Sequence, residues 1–246
     1  MPIDSGGVAD PMGKTVIITG ASQGIGRAAA VRMCREDEVT SIVLIARNQA
    51  GLEATVAAMP VRADQVVRCI PYDLADLDGI PDLVAGIHDE FGSLDVLLNI
   101  AGYAEPRSLL DTTAENLVTT YTINVFAMLL LTREFVRYMQ GRSAKILNIA
   151  STAGITSRPG WVAYASSKAA VVSLSATLAD ELAGTGIKVY SISPGRTATE
   201  LRRILAPDED PSKIMQPSAV ADVIANLMRD DERTLDGQNI IVRQQA

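Results

Sequence analysis

Tyr164 and Lys168, in Tyr164-Ala165-Ser166-Ser167-Lys168, stand four residues apart inside a helix-like stretch. That spacing puts them on one helix face, about 5–6 Å apart at Cβ. A free phenol titrates near about 10, too high for a base at neutral pH. An ammonium about 4 Å away, at an effective dielectric of about 20, contributes on the order of 4 kcal/mol, or roughly three pK units. The expected phenol then titrates near about 7, where one group both gives and takes a proton. Such pairs are common by chance, so the weight comes from their surroundings. Ser151 closes the apolar strand Lys145–Ile149 at its carboxyl end, where open α/β sheets bind ligands. Its hydroxyl suits a carbonyl oxygen or a developing alkoxide, with a plain turn or helix-capping serine as the bland alternative. Asn99 closes Val96-Leu97-Leu98 at the same sheet edge, followed by Ala101-Gly102.

A second chemistry lies near the N-terminus. Gly20, Ser22, Gln23, Gly24, Ile25 and Gly26 follow the buried-looking strand Thr15–Thr19 and open a helix. Glycines there let backbone turn tightly and approach a pyrophosphate at the positive end of the helix. Alone, the turn reads equally as a tight strand–helix connection; the strand before it and the helix after it point to a nucleotide. At the end of the second strand stands Ala46-Arg47-Asn48, where a dinucleotide fold reads the adenosine ribose. Arg47 offers a planar fork for a phosphate, and no carboxylate repels one. Gln23 is neutral and adds little. NADP(H) is favoured, with NAD(H) left open.

The elements that must position these residues alternate along the chain. Expected strands are Thr15–Thr19, Ser41–Ala46, Val66–Pro71, Val96–Leu98, Lys145–Ile149, Lys188–Ile192 and Asn239–Val242. Between them lie helical patterns over Gly26–Arg35, Leu52–Ala58, Ile80–Phe91, Thr113–Gln140, Trp161–Ala183 and Ala219–Arg229. Continuous β-branched runs separated by helices predict an α/β fold: a single doubly wound Rossmann-type domain over 13–246, with about seven parallel strands covered on both faces. Residues 1–12 are expected to form a loose polar arm. The irregular stretch 199–217, rich in Pro, Asp and Arg, is expected to be a substrate loop.

Composition narrows the partners. With 246 residues, 48% apolar, the chain has ample core for one large domain. A net charge of −7 gives no footprint for nucleic acid or an anionic membrane. The longest unbroken apolar run, Val125 to Leu131, is too short to span a bilayer, and no secretory signal is visible. Cys34 and Cys69 show no metal spacing and read as reduced thiols of a cytoplasmic protein. No metal site is expected. His88, the only histidine, sits on a polar helical stretch and reads as solvated.

Together these motifs resemble the short-chain dehydrogenase/reductase family in its single-domain form, from Gly13 to the C-terminus. Thr19-Gly20-Ala21-Ser22-Gln23-Gly24-Ile25-Gly26 is similar to the family's TGxxxGxG turn, and Asp73-Leu74 falls where the family places an aspartate near the adenine. Asn99-Ile100-Ala101-Gly102 resembles its NNAG element, with Ile100 in place of the second asparagine. Asn124 corresponds to the active-site asparagine of the long middle helix. Ser151, Tyr164 and Lys168 match the serine and the YxxxK pair, and Pro194-Gly195 with Thr197 and Thr199 resembles the PGxxxT segment around the nicotinamide.

The resemblance implies that Tyr164 protonates an alkoxide or deprotonates an alcohol. Lys168 lowers its pKa and holds the nicotinamide ribose, Ser151 polarises the substrate oxygen, and Asn124 keeps a water in the proton relay. It also implies a homodimer or homotetramer through the two long helices, whose wide apolar content (Val125 to Leu131; Val171, Val172, Leu174, Leu178) exceeds what one sheet face needs.

The expected function is NADP(H)-dependent hydride transfer between the nicotinamide and a carbonyl or secondary alcohol of a small molecule. A non-catalytic NADP-binding regulator on the same fold is the first alternative; the intact Ser151, Tyr164 and Lys168 set argues against it. An acyl-carrier-protein ketoreductase is another, against which the C-terminal Leu235–Ala246 stretch lacks the family's Asp-Gly-Gly ending. A nucleotide-sugar epimerase or dehydratase is disfavoured by the glycine spacing. Trp161, Ile155, Leu201 and Leu205 would wall a hydrophobic ketone, whereas Arg202 and Arg203 would face an anion.

Overall fold

The computed structural model describes residues 13–139 and 143–244. The arm expected over 1–12, Gln140 at the end of the expected middle helix, and Gln245-Ala246 lie outside them. In chain order the elements are β1 (Lys14–Thr19), α1 (Gly24–Met33), β2 (Val39–Ala46), α2 (Gln49–Ala58), β3 (Val66–Pro71), α3 (Ile80–Phe91) and β4 (Val96–Asn99). There follow α4 (Ala114–Tyr121), a π turn (Thr122–Phe126), α5 (Ala127–Met139), β5 (Ala144–Ile149), α6 (Val162–Glu181), β6 (Ile187–Pro194), α7 (Glu200–Leu205), α8 (Pro217–Met228) and β7 (Asn239–Val242).

All strand pairs are parallel, in the order β3-β2-β1-β4-β5-β6-β7. Successive side chains alternate faces, so the strands feed two cores. Val16, Ile18, Ile42 and Leu44 pack with Ala29, Met33, Leu52, Val220 and Ile224, under α1, α2 and α8. Ile17, Val43, Leu97 and Ile146 pack with Val84, Ile87, Leu131 and Phe135, under α3 and α5. The chain leaves β1 toward β2 on one side and reaches β4 on the other. The crevice beyond the carboxyl ends of β1 and β4 is therefore the topological switch point, where such sheets bind ligands.

Most expected boundaries move by one to three residues, for local reasons. α2 starts earlier because Asn48 Oδ1 accepts from Gly51 N at 3.0 Å and caps it. α8 starts at Pro217, whose fixed φ suits a first helical position. Two differences are larger. The expected helix Thr113–Gln140 is interrupted by the π turn at 122–126, a rare local widening that tertiary contacts impose. The expected irregular stretch 199–217 holds α7 and a 3₁₀ turn, Pro211–Lys213, and its Met215 bridges to Thr197.

The segments Ala114–Met139 and Val162–Glu181 are long and apolar enough to cross a membrane by composition, though the first holds no longer unbroken apolar run than Val125 to Leu131. Here their buried residues, among them Leu131, Phe135 and Ala179, pack on the sheet. His88 is not simply solvated: it stacks on Tyr138 with ring centroids 4.4 Å apart. Cys34 is buried and donates to Gln65 Oε1, and Cys69 is half-buried; both are free thiols.

Candidate active site

One cavity of about 750 Å³ runs across the carboxyl ends of the central strands. Of the residues expected at the site, Gly20, Ser22, Gln23, Gly24, Ile25, Gly26, Arg47, Asn48, Asp73, Leu74, Ala101 and Gly102 line it. So do Ser151, Tyr164, Lys168, Pro194, Gly195, Thr197 and Thr199. Asn99 and Asn124 do not.

At one end the glycine turn lies under the N-terminus of α1. A Cβ on Gly26 would sit 2.2 Å from Gly20 O, so only glycine lets the helix begin this close to the turn. The result is a backbone cradle at a helix N-terminus, which fits a pyrophosphate. Thr19 braces it from behind, a residue quoted in the motif but given no role: its Oγ1 accepts from Ile100 N at 3.0 Å and Ala101 N at 3.1 Å. Ile100, the departure from NNAG, is buried in the core and loosens nothing visible. Arg47 is exposed at the mouth, and none of the described residues bonds its guanidinium. Asp73 is exposed on the facing loop and accepts from Ala75 N.

At the other end β5 delivers Ser151. The turn after it packs so tightly on α6 that a Cβ on Gly154 would meet Lys168 C at 2.6 Å. This close approach brings Ser151 to Tyr164, and hydrogen bonding from the serine hydroxyl draws the phenol's pKa down. The net direction is nevertheless upward, because burial outweighs it.

The expectation of a phenol pulled toward neutrality by Lys168 is therefore not met in this cleft. Lys168 Nζ lies 6.0 Å from the Tyr164 ring centroid and donates instead to Ile149 O at 2.8 Å. Burial lowers the lysine itself to about 8. It is the lysine, rather than the tyrosine, that sits near neutrality.

The two asparagines act behind the wall. Asn99 Nδ2 donates to Thr132 Oγ1 at 3.2 Å and Asn148 Oδ1 at 2.9 Å, tying β4 to α5 and β5. Asn124 accepts from Tyr103 N and donates to Tyr103 O and Ser167 Oγ. Both amide hydrogens are thus committed, and neither is left for a water. The π turn is what aims this side chain at Tyr103 and Ser167. Neither Tyr103 nor Ser167 carried a sequence signal for this role.

The end of the cavity around Tyr164 is walled by Ala104, Ala153, Leu205, Trp161 and Leu201. Ile155, expected there, is exposed and not part of the cavity lining. Thr199 Oγ1 accepts from Arg202 N at 3.1 Å and caps α7. Of the two arginines weighed for an anion, Arg202 lines the cavity while Arg203 faces solvent and pairs with Glu200. Among the described residues no cluster of His, Cys, Asp and Glu has a metal-holding arrangement.

With this geometry in view, similarity to known proteins is specific. The family profile described as short chain dehydrogenase matches residues 14–210. The chain is 32% identical over 190 residues to the NADP-dependent 3-hydroxy acid dehydrogenase of Schizosaccharomyces pombe, covering 76% of this chain and 73% of that one. Among solved structures it resembles a variant of the actinorhodin polyketide ketoreductase with NADPH, with a TM-score of 0.86 and 26% identity, over 96% of this chain and 97% of that one. It also resembles the 3-ketoacyl-(acyl-carrier-protein) reductase from Brucella melitensis complexed with NADH, with a TM-score of 0.84 and 26% identity, over 94% and 96% of the two chains.

Proposed function

The chain belongs to the short-chain dehydrogenase family, a family of oxidoreductases, and from that premise we propose that it is an NADP(H)-dependent reductase or dehydrogenase of a small carbonyl or secondary alcohol. The observation that carries this reading is the convergence of Ser151, Tyr164 and Lys168 on one end of a cavity whose other end is a glycine cradle with an unpaired arginine at its mouth. When bound there, the nicotinamide supplies the hydride to a carbonyl carbon or takes it from a carbinol. The chain's own residues hold, orient and move the proton.

In reduction, Ser151 Oγ donates to the substrate oxygen and stabilises the charge that develops on it. Tyr164 Oη gives its proton to that oxygen, so each turnover adds one hydride and one proton across the double bond. Lys168, held at about 8 by burial, is assigned the nicotinamide ribose. Asn124 is a positioning residue, holding the Tyr103 loop against α6. Gly20, Gly24 and Gly26 cradle the pyrophosphate, and Arg47 with Asn48 takes the adenosine ribose and its phosphate.

Support for NADP(H) over NAD(H) is the free guanidinium of Arg47 at a point without a carboxylate. The same reading includes a cytoplasmic setting, a homo-oligomer, and neither nucleic acid nor membrane as partner. Spectrophotometric NADPH oxidation against a panel of neutral and anionic carbonyl compounds tests it. Turnover with any of them supports a reductase. Tight NADPH binding with no turnover across the panel, in either direction, sinks that reading in favour of a non-catalytic NADP-binding protein.

A further inference from the structure

We propose that the carbonyl substrate carries a carboxylate, which the Arg202 guanidinium holds against the Trp161 ring at the inner wall of α7. This rests on the reductase reading above and names the class of its substrate.

The position of Arg202 is fixed from both ends. Its backbone N–H is held by the Thr199 cap at the start of α7. Its Cζ lies 5.7 Å from the Trp161 ring centroid. Trp161 in turn meets Tyr164 edge-on, with ring centroids 6.3 Å apart. The charge thus sits one aromatic ring away from the proton donor, and it draws the Tyr164 phenol down. A guanidinium lying over an aromatic face spends no N–H on that contact, which leaves its terminal nitrogens for a planar anion.

The charge is only partly answered. Arg202 Nε donates to Glu209 Oε2 at 2.5 Å, and none of the described residues takes its two terminal nitrogens. Glu209 is shared with Arg196, whose Nη1 lies 3.2 Å from Oε1. One carboxylate therefore serves two guanidiniums, and the trio carries a net positive charge. Arg158, which also lines the cavity, bonds only Ser157 O. Glu200 on this wall is already engaged by Arg203. A chain of net charge −7 thus presents a positive substrate mouth over a small apolar wall. Arg202 is only 19% exposed in its side chain, and a guanidinium that sheltered favours a charged, bidentate partner. A short oxo acid fits: its carbonyl at Ser151 and Tyr164, its carboxylate at Arg202. The reaction balances as hydride from the nicotinamide plus one proton from Tyr164, giving the hydroxy acid and oxidised cofactor.

The test compares acetoacetate with its methyl ester and with the acetoacetyl thioester of N-acetylcysteamine, under NADPH. Wild type is expected to favour the acid in kcat/KM by about tenfold or more, the usual strength of a charge-assisted bond. Arg202→Gln should erase that ratio, mainly through KM of the acid, and Arg202→Lys should restore part of it. Arg203→Gln, on the exposed side of the same helix, should keep the wild-type ratio. Butyrate should inhibit wild-type reduction of the ester competitively, a readout independent of any variant. Equal or ester-favouring kcat/KM in wild type, an unchanged ratio in Arg202→Gln, or no competition by butyrate overturns the inference while leaving a reductase in place. Preference for the thioester does the same and points to a carrier-bound acyl substrate. Failure of every carbonyl compound to oxidise NADPH strikes the reductase reading beneath it instead.

Discussion

Asn124 closes a ring on the backbone of Tyr103, accepting from its N at 2.7 Å and donating to its O at 2.9 Å. The remaining amide hydrogen reaches Ser167 Oγ at 2.9 Å, on the helix that carries Tyr164 and Lys168. One side chain thus pins the loop after β4 to α6. Asn124→Ala strands the Tyr103 N–H and carbonyl, while Ser167 Oγ keeps its bond to Tyr164 O, so a loss of about 1–3 kcal/mol is expected. Urea unfolding measures it, and an unchanged midpoint would show that the ring carries no structural weight. The rate should fall as well, because Tyr164 loses its reference to the cleft wall.

Tyr164→Phe should leave NADPH binding nearly intact and remove most turnover, because the phenol proton is used in the transition state. Acid–base catalysis contributes about 10²–10⁴-fold, so a variant retaining more than about a tenth of wild-type kcat refutes the assignment. Ser151→Ala should lower kcat/KM by about 10²–10³-fold, the usual loss of one oxyanion donor. Steady-state kinetics on any accepted carbonyl decides both.

Arg47→Asp should reverse or erase the preference for NADP(H), by deleting a charge-assisted bond and adding repulsion toward the 2′-phosphate. The readout is the ratio of kcat/KM for NADPH over NADH. Identical ratios in wild type and variant mean that Arg47 does not read the ribose.

Lys168 is held at about 8 by burial, whereas a free lysine titrates near 10.5. Its ammonium therefore fades as pH rises through about 8. NADPH affinity, followed by cofactor fluorescence, should weaken across that range in wild type and stay flat in Lys168→Ala. The linkage has the opposite sign for stability. The folded pKa lies below the unfolded value, so the unfolded chain binds more protons between the two. The destabilising contribution of Lys168 then shrinks as pH rises from about 8 toward 10.5. Flat NADPH affinity in wild type over this window would remove Lys168 from the ribose site.

Val118, Phe126 and Val162, on the two long helices, are exposed by 63%, 46% and 43%. Large apolar side chains at that exposure on adjoining helices suit burial against a second copy. Light scattering at micromolar concentration should give a dimer or tetramer. A mass near 26.1 kDa would refute it.

Much of this protein is written in its linear order. Alternating β-branched runs and helical stretches place seven strands and their crossovers, because side-chain periodicity is a local property. The glycine turn and the Tyr164–Lys168 spacing are equally local, and they land on one cavity.

What spacing cannot encode is which way a side chain turns once neighbours arrive. Tertiary structure sent Lys168 Nζ to Ile149 O, leaving the phenol raised and the lysine lowered by burial. It also opened a π turn in a stretch that reads as unbroken helix, so that Asn124 meets Tyr103 and Ser167 rather than the cavity. Finally, it separated Arg202 from Arg203, adjacent in sequence, into a cleft wall and a solvent face. Burial and hydrogen-bond partners come from residues tens of positions away, and those determine charge and direction where spacing determines only proximity.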